Sequence, residues 1–283
     1  MKLLVDSGST KADWISIDKD GKVLFTAQTL GLNPEVLDKE EIINRLNDKF
    51  DISHNKNKVS HLFFYGAGCG TDRMRTFLSE VFKEYFPKAL ISVHEDTYAA
   101  VYATTPKDEK AIVCILGTGS NCSYFDGSML HQKVQSLGYI AMDDCSGNQF
   151  GRQLIRGYYF NKMPKDLALK FESTYNLDAD FIKNNLYKEP NPNAYLATFA
   201  KFLIENKETE FCKKIIFAAM EDFVENYIKQ YENCKQVPIH FIGSIAFYLK
   251  DELEIVLTKH GLKLGNVLRR PIDGLIQYHI LNK

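Results

Sequence analysis

The sequence predicts an α/β protein of two domains, each with a mixed β-sheet that has helices on its faces. Short apolar runs typical of strands alternate with amphipathic helical segments through residues 1–110. An apolar run, a Gly/Ser turn, a second run and an Asp-Gly turn occur at residues 2–21 and again at residues 111–127. The length of 283 residues also exceeds what a single compact core usually needs.

The first half is expected to supply one sheet and its helices. Strands are expected at residues 2–5, 14–17, 23–25, 59–65 and 89–93. A helix is expected at residues 39–50, a second after the capping pair Thr71-Asp72, and a third, with small residues, beyond Asp96.

The second half begins with the strand AIVCIL at residues 111–116 and then becomes mostly helical. Helices are expected at residues 146–159, at 164–175, from Asn193 and over 211–228. A strand at 237–242 follows, then one amphipathic helix after a Gly-Ser turn and a final helix from Ile272.

Composition and charge exclude several classes of function. The chain has 35 Lys and Arg against 36 Asp and Glu, and neither sign forms a long block that could follow a nucleic-acid backbone. The six cysteines form no CxxC pair and have no His at zinc-finger spacing, which is typical of reduced thiols. No apolar run approaches the length of a membrane span or signal segment. We therefore expect a cytoplasmic protein that binds neither nucleic acid nor membrane.

Two Gly-rich turns between strands have the chemistry of a phosphate-binding site. DSGSTK at residues 6–11 places the carboxylate of Asp6 at the end of a strand, followed by a glycine and hydroxyl groups. Such a turn can hold a triphosphate and Mg²⁺ through its hydroxyls and free N–H groups. GTGSN at residues 117–121 has the same capacity. Each alone could equally be an ordinary β-turn, and the GxxxxGK[ST] motif of P-loop NTPases is missing from the sequence.

A third turn and one more aspartate complete the set. IGSIA at residues 242–246 is a strand-to-helix turn of small residues against which a flat base can lie, although a helix start that needs Gly and Ser explains it equally well. Asp96 follows a strand, so it can accept a proton from a hydroxyl during phosphoryl transfer. An Asp at this junction is as often an N-cap.

The order of these features resembles the N-acetylglucosamine kinase family and the related BadF/BadG/BcrA/BcrD-type ATPases of the actin-like ATPase superfamily. The most specific pieces are DSGSTKADW at 6–14, GLNP at 31–34, YGAGC at 65–69, LGTGSN at 116–121 and FIGSIA at 241–246. The resemblance covers nearly the whole chain. It implies two ribonuclease H-like, actin-like ATPase domains with mixed five-stranded sheets and an interdomain cleft. These would be residues 1–106, joined by the last helix at 272–283, and residues 107–271 with a helical insertion.

The resemblance also implies an activity, which is ATP-dependent phosphorylation of an amino sugar, foremost N-acetylglucosamine on its 6-hydroxyl, with ATP and Mg²⁺ as cofactors. Asp96 is implied as the catalytic base, and Asp6 as the residue that orients the metal. Phosphate or nucleotide contacts are implied for Gly8, Ser9, Thr10, Thr118, Gly119, Gly243, Ser244 and Ala246. Sugar contacts are implied for Asn33, Asp96, Asn121, Gly138 and Asp143.

One segment departs from the family pattern. Where the kinases usually have Gly-Asp-Glu-Gly-Ser, this chain has Met-Asp-Asp-Cys-Ser at residues 142–146. The carboxylate of Asp143 remains, but both glycines are replaced, so a Cβ stands where backbone is implied to approach the sugar closely. The departure concerns the sugar pocket more than the ATP site.

Two other functions stay open at this point. One is an ATP-driven activator of a dehydratase or reductase partner, with an iron–sulfur cluster held at a dimer interface by cysteines such as Cys69 and Cys145. The other is a sugar-sensing, ATP-binding module without catalysis. A small-molecule amino sugar is the expected partner, and a homodimer stays open.

Overall fold

The computed structural model describes residues 1–8, 11–106 and 108–281, with the backbone alone at Leu281. The chain divides into two compact units. The first unit comprises Met1–Lys107 and Arg270–Lys283, and the second comprises Asp108–Arg269. Each unit has its own sheet and its own buried core.

The first unit contains a five-stranded mixed sheet in the order β3-β2-β1-β4-β5. Its strands are β1 (Lys2–Ser7), β2 (Lys11–Ile17), β3 (Val23–Leu30), β4 (His61–Gly66) and β5 (Leu90–Glu95). The pairs β1–β2 and β2–β3 are antiparallel, whereas β1–β4 and β4–β5 are parallel. Three strands therefore end at the same edge of this sheet.

Four helices of the first unit lie between these strands or after them. They are α1 (Lys39–Asn47), α2 (Phe50–Asn55), α3 (Asp72–Tyr85) and α4 (Asp96–Thr104). The N-cap predicted at Thr71 forms, because its side chain accepts the N–H of Met74, and Asp38 caps α1 in the same way by accepting the N–H of Glu41. The expected helix over residues 39–50 is two helices, since α1 ends at Asn47.

The second unit contains a sheet of the same topology, in the order β10-β9-β6-β7-β8. Its strands are β6 (Ala111–Leu116), β7 (Ser120–Phe125), β8 (Leu130–His131), β9 (Pro238–Ile242) and β10 (Lys263–Leu268). The first three are antiparallel neighbours, and β6–β9 and β9–β10 are parallel, as in the first unit. The likeness between residues 2–21 and 111–127 therefore corresponds to two equivalent β-hairpins.

Eight helices cover the second sheet or form the segment between β8 and β9. They are α5 (Gly147–Tyr159), α6 (Lys165–Thr174), α7 (Ala179–Tyr187), α8 (Pro192–Thr198), α9 (Ala200–Glu205), α10 (Glu210–Asn226), α11 (Ser244–Tyr248) and α12 (Lys250–Lys259). The apolar stripe of α10 is buried, as its spacing predicts. The single amphipathic helix expected after Gly243 is broken at Leu249 into α11 and α12.

Helix α7 was not predicted from the sequence, and neither was strand β10. Its sequence, KLGNVL, lacks clean alternation because the pairing with β9 shifts between Leu264 and Val267. A Cβ on Gly265 would lie 2.3 Å from Nδ1 of His240, and the same nitrogen accepts the N–H of Asn266 at 2.8 Å. The irregularity thus accommodates a buried histidine of the neighbouring strand.

The last helix, α13 (Pro271–Leu281), belongs to the first unit, where it packs on α4 and β1. It carries His279, whose Nε2 is 2.9 Å from the buried hydroxyl of Tyr65. The approach to α4 is close, because a Cβ on Gly274 would lie 2.4 Å from the carbonyl oxygen of Ala103. Only glycine allows this distance between the two helices.

We expect Gly274→Ala to lower the free energy of unfolding. Overpacking typically costs about 1–3 kcal/mol, and the better helix propensity of Ala recovers about 1 kcal/mol. Urea unfolding followed by circular dichroism measures the difference. Gly70→Ala is the matched control in the same unit, because its Cβ would lie an ordinary 3.7 Å from Glu95. An equal loss in both variants would contradict the packing explanation.

Candidate functional site

The ends of three parallel strands bring two predicted site residues to one edge of the first unit. Asp6 of β1 pairs with Tyr65 of β4, and Gly66 pairs with Glu95, the last residue of β5. Asp96 follows directly as the first residue of α4. Asp6 and Asp96 therefore lie at the same edge, which we call the acidic edge.

The acidic edge is electrostatically unfavourable for its own carboxylates. Burial, then the charges of Asp96 and Asp13, raise the pKa of Asp6 to about 7. Lys11 and Arg270 act in the opposite direction but do not cancel the increase. Lys11 is itself bound to Asp13, with Nζ 3.0 Å from Oδ2. The deprotonated form of Asp6 would gain from a nearby cation.

Asp96 is not the N-cap of α4, which is Glu95, but the first residue of the helix, and it has an unusual acidity. Burial, followed by the charge of Glu95, raises the pKa of Asp96 to about 6. The N–H groups of Thr97 and of Asp96 itself lower the pKa and stabilise the carboxylate at the start of α4. A carboxylate with a pKa near neutrality is suited to accept a proton from a hydroxyl.

The loop that carries Asn33 packs against the same edge. The backbone N–H of Leu32 donates to Oγ of Ser7 at 2.9 Å, which ties the loop to the end of β1. Gly68, in a left-handed conformation with φ 81°, has no room for a side chain, because its Cβ would lie 2.0 Å from Oδ1 of Asn33. The GLNP and YGAGC segments therefore meet next to the DSGST turn.

Three predicted phosphate contacts lie in the DSGST turn itself. Gly8 is exposed at the end of β1. Ser9 and Thr10 lie outside the described residues, so their contribution stays a prediction.

In the second unit, the turn between β6 and β7 is held by hydrogen bonds to the start of α5. We call residues 117–120 the Thr118 loop. Its Gly117 carbonyl accepts the N–H of Gly147 at 2.8 Å, and its Thr118 carbonyl accepts the N–H of Asn148 at 3.0 Å. The side-chain Nδ2 of Asn148 donates to the same Thr118 oxygen at 2.7 Å. The loop is therefore fixed at its carbonyl groups.

Asp143 is bound to the Thr118 loop. It is buried, adopts a left-handed backbone with φ 67°, and accepts the N–H of Ser120 at 3.3 Å and Nδ2 of Asn148 at 3.0 Å. Gly119 lies so close that a Cβ there would be 2.7 Å from Oδ2 of Asp143. A predicted sugar residue and a predicted phosphate loop are thus joined within one unit.

The departure at residues 142–146, which we call the Asp143 loop, has a structural explanation at Cys145. Its backbone is left-handed with φ 58°, a conformation that favours glycine. The Cys145 side chain is fully buried in the core of the second unit, and its N–H donates to Oε1 of Gln149 at 2.7 Å. The replacement of glycine here adds a side chain to the core.

Gly243 connects the third predicted turn to the Thr118 loop. With φ 117°, it has no space for a side chain, because a Cβ would lie 2.2 Å from the carbonyl oxygen of Leu116. Ser244 begins α11, and Ala246 belongs to the buried core. Only glycine therefore lets the start of α11 lie against the end of β6.

The two remaining predicted sugar contacts have fewer constraints. Asn121 lies on β7 opposite Ile115, and its Oδ1 accepts the hydroxyl of Ser123 at 3.1 Å. Gly138, with φ 79°, lies in the segment before the Asp143 loop, and its carbonyl accepts the N–H of Met142 at 2.9 Å.

Sequence reasoning missed several residues that shape these sites. Glu95 and Lys11 are adjacent to or within the recognised motifs, so their charges could have been considered from spacing alone. Arg270 and Asn148 carry no such signal, because they reach the site only through folding. Arg270 acts on Asp6 from the start of α13, and Asn148 binds two separate loops.

The cysteines do not have the surroundings of a surface iron–sulfur site. All six are buried free thiols. Burial, then the charge of Asp96, raises the pKa of Cys69 to about 12, and burial with Asp144 raises the pKa of Cys145 well above its usual range. Neither thiol has the exposed surroundings and lowered pKa of a reactive cysteine.

Within residues 1–8, 11–106 and 108–281, no group of three His, Cys, Asp or Glu side chains is arranged to hold a metal ion alone. The helices of this part of the chain also include none with the length and apolar character of a membrane span.

The duplicated sheet topology, the acidic strand end and the Gly-rich turns define the class of actin-like ATPases. Within that class, the chain belongs to the BadF/BadG/BcrA/BcrD ATPase family, which matches residues 5–265. The family and the fold class predicted from the sequence are thereby confirmed.

The chain is similar to solved structures of other proteins over all or nearly all of its length. A candidate N-acetylglucosamine kinase from Porphyromonas gingivalis is 36% identical, with coverage of 100% of this chain and 99% of that one and a TM-score of 0.93. A candidate N-acetylglucosamine kinase from Chromobacterium violaceum is 14% identical, with 98% of each chain covered and a TM-score of 0.71. A ROK family glucokinase from Streptomyces griseus, solved with glucose and AMPPNP, is 14% identical, with 99% and 98% coverage and a TM-score of 0.58. The last two show the fold alone.

The raised pKa of Asp6 predicts a pH-dependent stability difference for Asp6→Asn. In the wild type, Asp6 binds a proton more tightly in the folded state than in the unfolded state. Its contribution to the free energy of unfolding therefore falls as pH rises from about 4 to about 7. In buffer with EDTA and no nucleotide, Asp6→Asn should be more stable than wild type at pH 8, by on the order of 3 kcal/mol. The difference should shrink toward pH 4.

Urea unfolding across this pH range measures the effect. Asp18→Asn is a control of opposite sign, because N–H groups, that of Lys22 first, lower the pKa of the exposed Asp18. Relative to wild type, that variant should be less stable by an amount that stays nearly constant from about pH 5 to pH 8, because a lowered pKa confines the change to more acidic pH. Parallel pH profiles for Asp6→Asn and wild type would contradict the electrostatic account of the acidic edge.

Proposed function

We propose that this protein transfers the γ-phosphoryl group of ATP to a hydroxyl of an amino sugar, with N-acetylglucosamine as the first candidate and its 6-hydroxyl as the acceptor. Membership of an ATPase family supports the use of ATP. The 36% identity over the full length to a candidate N-acetylglucosamine kinase supports the substrate class.

The acidity of Asp96 at the acidic edge is the observation that carries the proposal. Phosphoryl transfer forms a bond between the sugar oxygen and the γ-phosphorus and breaks the bond to the bridging oxygen of ADP. The sugar hydroxyl loses its proton, which a carboxylate of Asp96 accepts. With a pKa near 6, Asp96 is largely deprotonated at pH 7 yet basic enough for this role.

The acidic edge fits Mg²⁺ as the cation that accompanies ATP. Mg²⁺ prefers oxygen ligands, keeps several waters, and is usually bound by one or two carboxylates together with substrate phosphates. Asp6 would hold the ion through its water, and the cation would offset the burial and the like charges that raise the pKa of Asp6. When bound, Mg²⁺ neutralises charge on the phosphates.

The remaining predicted residues have distinct roles in this proposal. Gly8, Ser9, Thr10 and the Thr118 loop contact the phosphates, and the turn from Gly243 to Ala246 lies beside the adenosine. Sugar contacts are proposed for Asn33, Asn121, Gly138 and Asp143. The tight approach of Gly119 to Asp143 supports a shared function for these two loops.

We further propose that the two units are two actin-like ATPase domains of a cytoplasmic enzyme. Residues 1–106 with 272–283 and residues 107–271 would be their limits, and the compact units of the structure lie within two residues of these bounds. The packing of α13 on α4 and β1 supports the assignment of the last helix to the first domain.

Asp96→Asn should lower sugar-dependent ADP release by roughly 10²- to 10⁴-fold, because the amide cannot accept the hydroxyl proton. Nucleotide binding, measured by calorimetry, should stay within a few-fold of wild type. Asp51→Asn is the matched control, since Asp51 is an exposed first-turn carboxylate of another helix in the same unit. Unchanged turnover in Asp96→Asn would contradict the assignment of the base.

A panel of hexosamines, with ADP release and sugar binding measured side by side, tests the substrate class. N-acetylglucosamine should give the highest kcat/KM, and a single hydroxyl or methylene can change this ranking by roughly 10- to 200-fold. Tight sugar binding without phosphorylation would instead favour a sugar-sensing module. A brown, oxygen-sensitive preparation would favour the activator.

Glu95→Gln should shift the acid limb of the kcat/KM profile to lower pH. The limb reports deprotonation of Asp96, whose pKa of about 6 is raised by burial first and by Glu95 second. Removing the second cause lowers that pKa, by roughly 0.5–1 unit for a neighbouring like charge. Glu84→Gln, an exposed carboxylate of α3, is the control that should leave the limb in place. A limb that stays at the wild-type pH in Glu95→Gln would argue against Asp96 as the titrating base.

A further inference from the structure

Asn148 binds two loops to which the proposed function gives different ligands. It is 1% exposed and is the second residue of α5. Its Nδ2 donates one hydrogen to the Thr118 carbonyl at 2.7 Å and the other to Oδ2 of Asp143 at 3.0 Å. One nitrogen therefore joins segments that are 25 residues apart in the chain.

We propose that Asn148 is a positioning residue that couples nucleotide binding at the Thr118 loop to sugar binding at Asp143. This inference rests on the proposed function, since it assigns phosphate to one loop and sugar to the other. Asn148 touches neither substrate in this account. It acts by keeping the Thr118 carbonyl and the Asp143 carboxylate in one fixed arrangement.

The chemistry of the site demands two donors and no acceptor at this point. Both partners of Nδ2 are acceptors, one a carbonyl and one a carboxylate, so a primary amide meets both requirements. Asp at position 148 would have the same shape but would place a second carboxylate against Asp143. Ser would offer a single donor on a shorter side chain.

The surrounding packing makes the coupling mechanical. A Cβ on Gly119 would lie 2.7 Å from Oδ2 of Asp143, so the loop backbone already touches the carboxylate. The N–H of Ser120 donates to Oδ1 of Asp143, and the backbone N–H of Asn148 donates to Thr118. A movement of the Thr118 loop must therefore shift Asp143 or break these hydrogen bonds, and binding that orders one loop orders the other.

Gln149 offers a matched control in the next position. It is also buried, at 7% exposure, and its amide also makes two hydrogen bonds, to the N–H of Cys145 and to Oδ1 of Asp144. These bonds hold the Asp143 loop without reaching Thr118. Gln149→Ala should therefore destabilise the same region while leaving the two ligands coupled.

The test is a calorimetric measurement of N-acetylglucosamine affinity with and without saturating Mg²⁺-AMPPNP. In wild type, the nucleotide should change sugar affinity by roughly 5- to 150-fold, the usual range of coupling between sites. In Asn148→Asp and Asn148→Ser the factor should fall below about twofold, while Gln149→Ala keeps the wild-type factor. Folded Asn148 variants with undiminished coupling, or a wild type with no coupling, would overturn the inference.

Amide hydrogen exchange on wild type provides a second measurement that needs no variant. Adding Mg²⁺-AMPPNP alone should slow exchange in residues 142–148 as well as in residues 117–121. Unchanged exchange in residues 142–148 would overturn the inference. This measurement decides the question even if both Asn148 variants fail to fold. If the wild type turns over the sugar but the Asn148 variants keep the wild-type coupling, only this inference is contradicted. If the wild type neither binds nor phosphorylates the sugar, the proposed function is contradicted.

Discussion

The burial of neighbouring carboxylates at the acidic edge is the constraint on which the rest of the first unit depends. Asp6 and Asp96 have raised pKa values because burial and like charges disfavour their ionised forms. Folding retains this cost, which the hydrophobic core around the fully buried Trp14 must offset. Costs of this kind are concentrated at functional sites, where a ligand of opposite charge makes them useful. Under the proposed function, the acidic edge would use this cost to hold a cation and to accept a proton.

The second unit achieves a similar degree of preparation by close backbone packing. Gly119 and Gly243 allow approaches that a side chain would prevent, and Asp143 and Cys145 adopt left-handed conformations that usually favour glycine. Hydrogen bonds from the first turn of α5 then fix the Thr118 loop. Because rigid loops lose less entropy on binding, this arrangement would favour selective recognition of the ligands that the proposed function gives to these loops.

The elements predicted correctly from the sequence are those whose signals are local. The cap at Thr71, the apolar stripe of α10 and the hairpins of both units depend on residues a few positions apart. Strand β10 was missed because its bulge follows from His240, a residue of another strand. The break between α11 and α12 was missed because one continuous periodic pattern concealed it. Non-local packing decided these features.

The same division holds for the site and for the protein as a whole. Sequence alone determined the fold class, the family and the Gly-rich turns, and it marked Asp96 as the candidate base, because these depend on residue types at fixed spacing. Tertiary structure decided that burial would shift the acidity of Asp6 and Asp96, and that Arg270 and Asn148 would act on residues far away in the chain. Desolvation and hydrogen bonding depend on which surfaces fold against each other, and no short sequence pattern records that.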